Sequence, residues 1–233
     1  MGEEPERSGS FFGRRKGKTL RPGHERLLGD VLPALRIGLD GDGHALGSRL
    51  DEQFGKPVRA IHLEIGFGGG EHLLAGARAH PDIGFIGCEP FVNGMAKLLA
   101  VVEAEGLRNI RVWDEDAADL LGRLPAASID QAYLLFPDPW PKRRQRKRRF
   151  VSDQNLAALA RILVPGAEFR FATDIDDYAG WTLARILRSP DFRWQPKGPD
   201  DWRRPWPGWP GTRYEAKARR EGRPASYLTF IRI

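Results

Sequence analysis

The sequence predicts a single α/β domain with a mostly parallel sheet and helices on both faces. Three observations lead there. The 233 residues suffice for one large domain with a sizeable core. From Val58 onward, apolar runs of strand length alternate with stretches of helical periodicity at βαβ spacing. The first such run, Leu63-Glu64-Ile65, leads into Gly66-Phe67-Gly68-Gly69-Gly70, the kind of turn that opens a nucleotide-cofactor site.

Taken in order, residues 1–23 mix Gly, Arg, Lys and Ser without periodicity and read as a mobile basic tail, leaving 24–233 as the domain. Arg14, Arg15, Lys16, Lys18 and Arg21 of that tail can add to a nucleic-acid footprint or can simply be solvated. Residues 24–58 show a weak pattern, with one short helix expected near His24–Leu35 and loops at Gly41, Gly43 and Gly47. Ile61, Leu63 and Ile65 then fit a buried strand, and 69–79 a helix with Leu73 and Leu74 inward. A strand at Ile83–Cys88 and a helix over 92–105 follow. Next come a strand at Ile110–Trp113, a short helix near 117–123 and a strand at Ile129–Leu135. Ser152–Leu163 is helical, with Asp153 near its start and Pro165-Gly166 beyond its end. Glu168–Ala172 reads as a strand, Ile175–Arg188 as a helix started by Asp174, and Tyr227–Ile231 as another strand. Pro, Trp and Arg make 190–224 an irregular interruption.

The net charge is +6, and much of the excess sits in one place. Residues 142–149 (Lys-Arg-Arg-Gln-Arg-Lys-Arg-Arg) hold seven cations in eight positions, with no acid among them. A solvated helix face usually mixes both signs. A run of one sign repels itself, so Arg143, Arg144, Arg146, Lys147, Arg148 and Arg149 read as contacts to a phosphate backbone. One cysteine, Cys88, rules out an internal disulfide and a cysteine-built zinc site. The five histidines show no ligand spacing, so no metal is expected. There is no signal-peptide core and no apolar run long enough to span a bilayer, which favours a cytoplasmic protein without a membrane partner. Monomer and homodimer fit the sequence equally.

Gly66 and Gly68 let the backbone turn tightly and approach a ligand. A dinucleotide fingerprint would place a third glycine where Glu71 stands, and that carboxylate would repel a pyrophosphate. A cofactor without phosphates, such as S-adenosylmethionine, fits better than NAD. Glu89, ending the second strand, can grip both ribose hydroxyls. Asp116-Ala117, after the third, sits where an adenine edge rests, and Glu64 can meet the cofactor's ammonium or sulfonium end. Taken alone, the glycine turn is equally a structural connection between strand and helix; three acids at strand ends argue against chance.

Phe136-Pro137-Asp138-Pro139-Trp140 follows the fourth strand, on the edge where such sheets bind ligands. Its prolines restrict the turn around Asp138, as a preorganised site requires. Trp140 can stack on a base or pack. Thr173-Asp174 can touch substrate or cap the next helix. Thr212-Arg213-Tyr214-Glu215 has a hydroxyl and a carboxylate suited to a guanine edge, with a helix cap at Thr212 as the plainer alternative. Trp202, Trp206 and Trp209 read as a packed proline-rich loop rather than a lid.

Leu-Glu-Ile-Gly-Phe-Gly-Gly-Gly (63–70), Gly-Cys-Glu-Pro (87–90), Phe-Pro-Asp-Pro-Trp-Pro-Lys (136–142), Thr-Asp (173–174) and Thr-Arg-Tyr-Glu (212–215) together resemble the bacterial tRNA (guanine-N7)-methyltransferases. The motifs run in order over about three quarters of the chain; the Phe-Pro-Asp-Pro-Trp motif with its basic run is the specific one. The resemblance implies a class I methyltransferase fold, S-adenosylmethionine as donor, and methylation of the variable-loop guanine at tRNA position 46. It places Glu64, Glu89, Asp116 and Asp138 on the cofactor side, Asp138 also as the catalytic residue. Lys142, Asp174 and Thr212 to Glu215 fall on the substrate, and Arg143–Arg149 on the RNA. Pro141 stands where many relatives have histidine. Other readings are a methyltransferase for another RNA base, a protein or a small molecule, and a non-catalytic RNA-binding protein on this scaffold. The first leaves 142–149 without a use unless RNA is the acceptor; the second should show a spoiled cofactor turn, and this one is intact.

Overall fold

The computed structural model describes residues 13, 15–38 and 50–233. Gly41, Gly43, Gly47 and Arg14 lie outside the described residues. Among those described, seven strands form one sheet: β1 (Ala60–Ile65), β2 (Ile83–Cys88), β3 (Ile110–Trp113), β4 (Ile129–Leu135), β5 (Leu163–Thr173), β6 (Phe192–Arg193) and β7 (Ser226–Arg232), in the order β3-β2-β1-β4-β5-β7-β6. The pairings from β3 to β5 are parallel and both pairings of β7 are antiparallel. Nine helices accompany them among the described residues: α1 (Pro22–Asp30), α2 (Leu32–Leu35), α3 (Glu71–Ala79), α4 (Val92–Glu105), α5 (Ala117–Arg123), α6 (Asp153–Ile162), α7 (Asp176–Ile186), α8 (Asp200–Arg203) and α9 (Arg213–Arg220).

The chain leaves β1 toward one edge and β4 toward the other, so a crevice opens between their carboxyl ends. Ladder hydrogen bonds continue one residue past several strands: Gly66 N–H to Cys88 O, Glu89 N–H to Trp113 O, and Phe136 N–H to Ala172 O, all at 2.8–2.9 Å. These bonds align the strand ends, so the acids that follow them share one rim. Strand periodicity sorts the rest of β1. Ile61, Leu63 and Ile65 join the larger core with Phe169, Phe171 and Phe230, while His62 and Glu64 face the other side. A second core under α3 and α4 holds Phe67, Leu73, Leu98 and Val112.

Side chains cap the starts of three helices, α5, α6 and α9. Asp116, Ser152 and Thr212 accept from the N–H groups of Ala118, Asn155 and Glu215 at 3.0–3.1 Å. α4 stops at Gly106, whose φ of 64° is the left-handed conformation that ends helices. Sequence and structure part at four places. α7 starts after Ile175 without a side-chain cap, and Asp174, expected to start it, instead pairs with Arg223 at 2.7 Å. β5 begins five residues earlier than the strand expected at Glu168, running through Pro165-Gly166 because Leu163 pairs with Ile129 across an irregularity in register. The irregular stretch contains β6, α8 and α9, packed rather than open: Trp206, Trp209 and Tyr227 meet edge to face at 5.5–5.9 Å. Finally, part of the expected tail is docked. Arg15 O accepts from Val92 N–H, and Asn93 bonds Gly17 N–H and Lys18 O, so 15–18 lie across the start of α4.

Candidate active site

A cavity of about 530 Å³ fills the crevice at the carboxyl edge of the sheet, in the size range of a small-molecule site. Its floor is the glycine turn. Gly68 has φ 58°, disfavoured for any residue with a Cβ, and donates its N–H to Glu89 Oε2 at 2.7 Å. Helix α4 crosses so closely that a Cβ on Gly94 would stand 2.2 Å from Gly68 O. Turn, helix and carboxylate therefore hold one another in place.

Glu89 is nearly buried, 8 % exposed, and takes a second hydrogen bond from Phe91 N–H at 2.9 Å. Burial raises its carboxyl to about 7, against the two N–H donors; Asp138 and Glu64 nearby push it further up. Asp116 caps α5 with one oxygen while lining the cavity, and burial raises it as well. Ala117, Leu134 and Phe136 supply apolar wall.

Asp138 stands at the mouth. No donor among the described residues bonds its carboxyl, and the surrounding protein raises its pKa by desolvation. Its turn is strained. Of the three non-glycine residues with positive φ among those described, two flank it: Phe136 at 49° and Trp140 at 43°. Arg149 holds the turn. Its side chain is fully buried, with Nε donating to Pro139 O at 2.8 Å and Nη2 paired to Asp177, and its guanidinium lies over the rings of Tyr178 and Trp181 at 4.7 and 5.1 Å. Arg148 covers the Trp140 ring at 5.0 Å, making a cationic wall of the cavity.

Several sequence expectations change here. Arg149 is an internal anchor rather than a phosphate contact, because both faces and edges of its guanidinium are engaged. Arg146 is partly committed, paired to Asp177 at 2.6 Å. Lys142, Arg143, Arg144 and Lys147 are exposed and meet no acid among the described residues. The run folds as a 3-10 turn, Arg143–Arg148, that fans these cations outward. Phe67 turns away from the cavity and packs against Gly87 in the α3–α4 core; only its backbone belongs to the turn. Glu64, 4 % exposed, does not reach the cavity wall but pairs with His72 Nδ1 at 2.7 Å beneath it. His72 is thus the structural partner of an acid. Glu215, 2 % exposed, is not open to a base edge: its oxygens accept from Trp209 Nε1 and Tyr227 OH, both at 2.6 Å, and from Arg219. Thr212 caps α9, and Asp174 is held by Arg223. Arg213 and Tyr214, by contrast, do reach the cavity. Arg213 pairs with Glu71 at 2.5 Å across Gly69, and the Tyr214 ring lies against Gly68. Lys97 and Gln154 also line the cavity; neither belongs to a motif that singles it out in the sequence, Lys97 standing among apolar residues of α4 and Gln154 in the polar start of α6.

The residues fit a phosphate-free cationic nucleoside better than a dinucleotide. Carboxylates line the cavity after three strands, at Glu89, Asp116 and Asp138, and Arg213 beside the glycine turn is neutralised by Glu71. Each Glu89 oxygen accepts one N–H, Oε2 from Gly68 of the turn and Oε1 from Phe91, which leaves each a second lone pair for a diol.

Comparison with known proteins agrees. A family described as "Putative methyltransferase" matches residues 58–228. The tRNA (guanine-N(7)-)-methyltransferase of Chelativorans sp. (strain BNC1) is 55% identical over 98% of this chain and 98% of that protein. The enzyme of the same name from Agrobacterium fabrum is 55% identical over 96% and 95%. Among solved structures, the 16S rRNA methyltransferase KamB superposes with a TM-score of 0.57 at 19% identity over 85% of this chain and all of that one. TrmN from Thermus thermophilus gives 0.53 at 14% identity, covering 78% of this chain and 46% of that one. These two share the fold.

The geometry yields two expected outcomes. Diol recognition needs Glu89 ionised, so affinity for S-adenosylhomocysteine should rise as pH climbs through about 7; calorimetric titration across that range checks this, and Glu89→Gln should bind weakly with a flat profile. Arg149→Met should cost about 2–3 kcal/mol, lowering the thermal midpoint by about 5–10 °C, because charged hydrogen bonds holding a strained turn are lost. Scanning calorimetry beside an exposed control, Arg144→Gln, separates the anchor from the surface charge.

Proposed function

The chain belongs to the tRNA (guanine-N7)-methyltransferase family, and on that premise we propose that it transfers a methyl group from S-adenosylmethionine to N7 of the variable-loop guanine at tRNA position 46. The observation that carries this reading is the strained turn presenting Asp138 at the mouth of the cofactor cavity, with the exposed cations of 142–147 beside it.

The cavity would hold the cofactor by Glu89 on the ribose, Asp116 and Ala117 at the adenine, and the Gly66–Gly68 backbone at the tail. S-adenosylmethionine held there would supply a sulfonium methyl for N7, its carbon–sulfur bond breaking with the electron pair left on sulfur. Guanine N7 has a free lone pair, so no residue has to remove a proton before it attacks. What the protein contributes is alignment and charge. The rigid turn and the Tyr214 and Trp140 rings confine the base, converting an encounter into a positioned reaction. The guanine ring becomes cationic as the bond forms. Asp138, bonded to no other group among the described residues and partly desolvated, is placed to stabilise that charge where it appears. A cationic ring beside it in turn favours the ionised carboxyl, offsetting the desolvation. Lys142, Arg143, Arg144 and Lys147 would track the RNA backbone, with Arg148 and Trp140 between backbone and base.

No helix among the described residues is long and apolar enough to cross a membrane.

Transfer of labelled methyl to unmodified tRNA, followed by nucleoside analysis, tests the reading directly: 7-methylguanosine in the variable loop is expected, and label at another base or none at all overturns it. Asp138→Asn should lower turnover about 100-fold while tRNA affinity stays within twofold. In the double variant Lys142→Gln/Arg144→Gln, the slope of log affinity against log salt should fall by about two with cofactor affinity unchanged; filter binding over a salt series measures it.

A further inference from the structure

A second cavity, about 470 Å³, lies on the far side of the basic turn. Its lining is mostly cationic: Arg143, Arg146 and Lys147 from the turn and Arg185 from α7, with Ser152, Trp181 and the internally engaged Arg149 between them. Trp181 and Arg185 are one helical turn apart on α7, and the guanidinium lies 3.4 Å above the ring. Two carboxylates stand near. Asp177 is taken by Arg146 and Arg149. Asp153 is 3.6 Å from Arg185 Nε, beyond hydrogen-bond reach, and is itself largely in solvent.

The polar bookkeeping singles this cavity out. Among the described residues, three buried side-chain polar atoms find no hydrogen-bond acceptor or donor in the protein, and two of them are Arg146 Nε and Arg185 Nε. Buried guanidinium N–H groups without an acceptor are rare in folded proteins, and the two arginines that carry these both line this cavity, which makes it a place of concentrated, under-satisfied positive charge. Burial, aided by Arg188 and Arg149, also lowers the Arg185 pKa, although Asp153 opposes this. A bound anion would relieve that crowding.

We propose that this cavity is a phosphodiester subsite for the substrate RNA, with Arg185 of α7 completing a grip begun by Arg143, Arg146 and Lys147. This rests on the tRNA reading above and extends it to residues outside the basic run. A base does not suit the place, because the Trp181 face it would stack on is covered by Arg185. A backbone phosphate does, since arginine forks match its oxygens. Position supports the same ligand. Lys147, Arg149 and Ser152 line both cavities, so a strand whose guanine enters the first lays neighbouring backbone at the second.

The test is tRNA binding across a salt series for the wild type, Arg185→Gln and Arg185→Lys, with thermal midpoints recorded alongside. Arg185→Gln should bind tRNA about tenfold more weakly at physiological salt, and its salt slope should shrink by about one. Arg185→Lys should recover the slope, because it restores the charge. A residue serving only to pack on Trp181 would lower the midpoint, leave the slope alone and gain nothing from lysine; that result overturns the proposal. Should Arg185→Gln fold poorly, Arg143→Gln on the exposed wall carries the same comparison. A wild type that binds and methylates tRNA, with Arg185→Gln equal to it in slope, overturns the subsite alone. A wild type that does not bind tRNA overturns the subsite and the tRNA reading together.

Discussion

The buried Arg149 guanidinium is the interaction on which the site depends. Residues with side chains adopt left-handed backbone at a cost of about 1–3 kcal/mol each, and the turn around Asp138 contains two of them. Such a conformation persists only where the surroundings over-determine it. Arg149 supplies that determination at once to Pro139 O, to Asp177 on α7 and to two aromatic rings. The turn, α7 and the basic run are thereby one mechanical unit. Asp138 is aimed by an arginine eleven residues further along its own chain, and of the cations between them Lys142, Arg143, Arg144 and Lys147 are left facing solvent.

The other side of the cavity is closed by a different device. α9 reaches over the glycine turn with Arg213 on Glu71 and Tyr214 on Gly68, while Glu215 roots the helix in the Trp209–Tyr227 cluster. Three neighbouring residues thus divide between gripping the turn and securing the helix. Glu71, which would repel a pyrophosphate, becomes half of the clamp.

Much of this was legible in the sequence. The alternating apolar runs located β1 to β4 and α3 to α5 closely, because burial imposes the same period on sequence and structure. That Glu89, Asp116 and Asp138 line one cavity follows from topology, since a parallel sheet gathers its strand ends on one rim. What the sequence hid was which polar side chains spend their hydrogen bonds inside. Arg149 and Arg144 look alike in a run of cations; only the folded chain puts aromatic rings around one and solvent around the other. Glu215 and Glu64 carry the same ambiguity. A carboxylate in a motif reads as reactive until its donors are seen. Asp174 is a further case, its partner Arg223 lying 49 residues away.

The position of β7 bears on how the protein is made. β7 inserts between β5 and β6, and Ile231 pairs with Glu168, so α9 hangs from a connection that is not drawn tight until that distant pairing forms. Glu168 to Ile231 and, between β1 and β4, His62 to Gln131 close loops of nearly equal length, so neither half of the sheet has an entropic head start over the other. The floor of the site and its clamp close on equal terms. The cavity is in that sense a property of the whole sheet, and a ligand held there draws on both ends of the chain's topology at once.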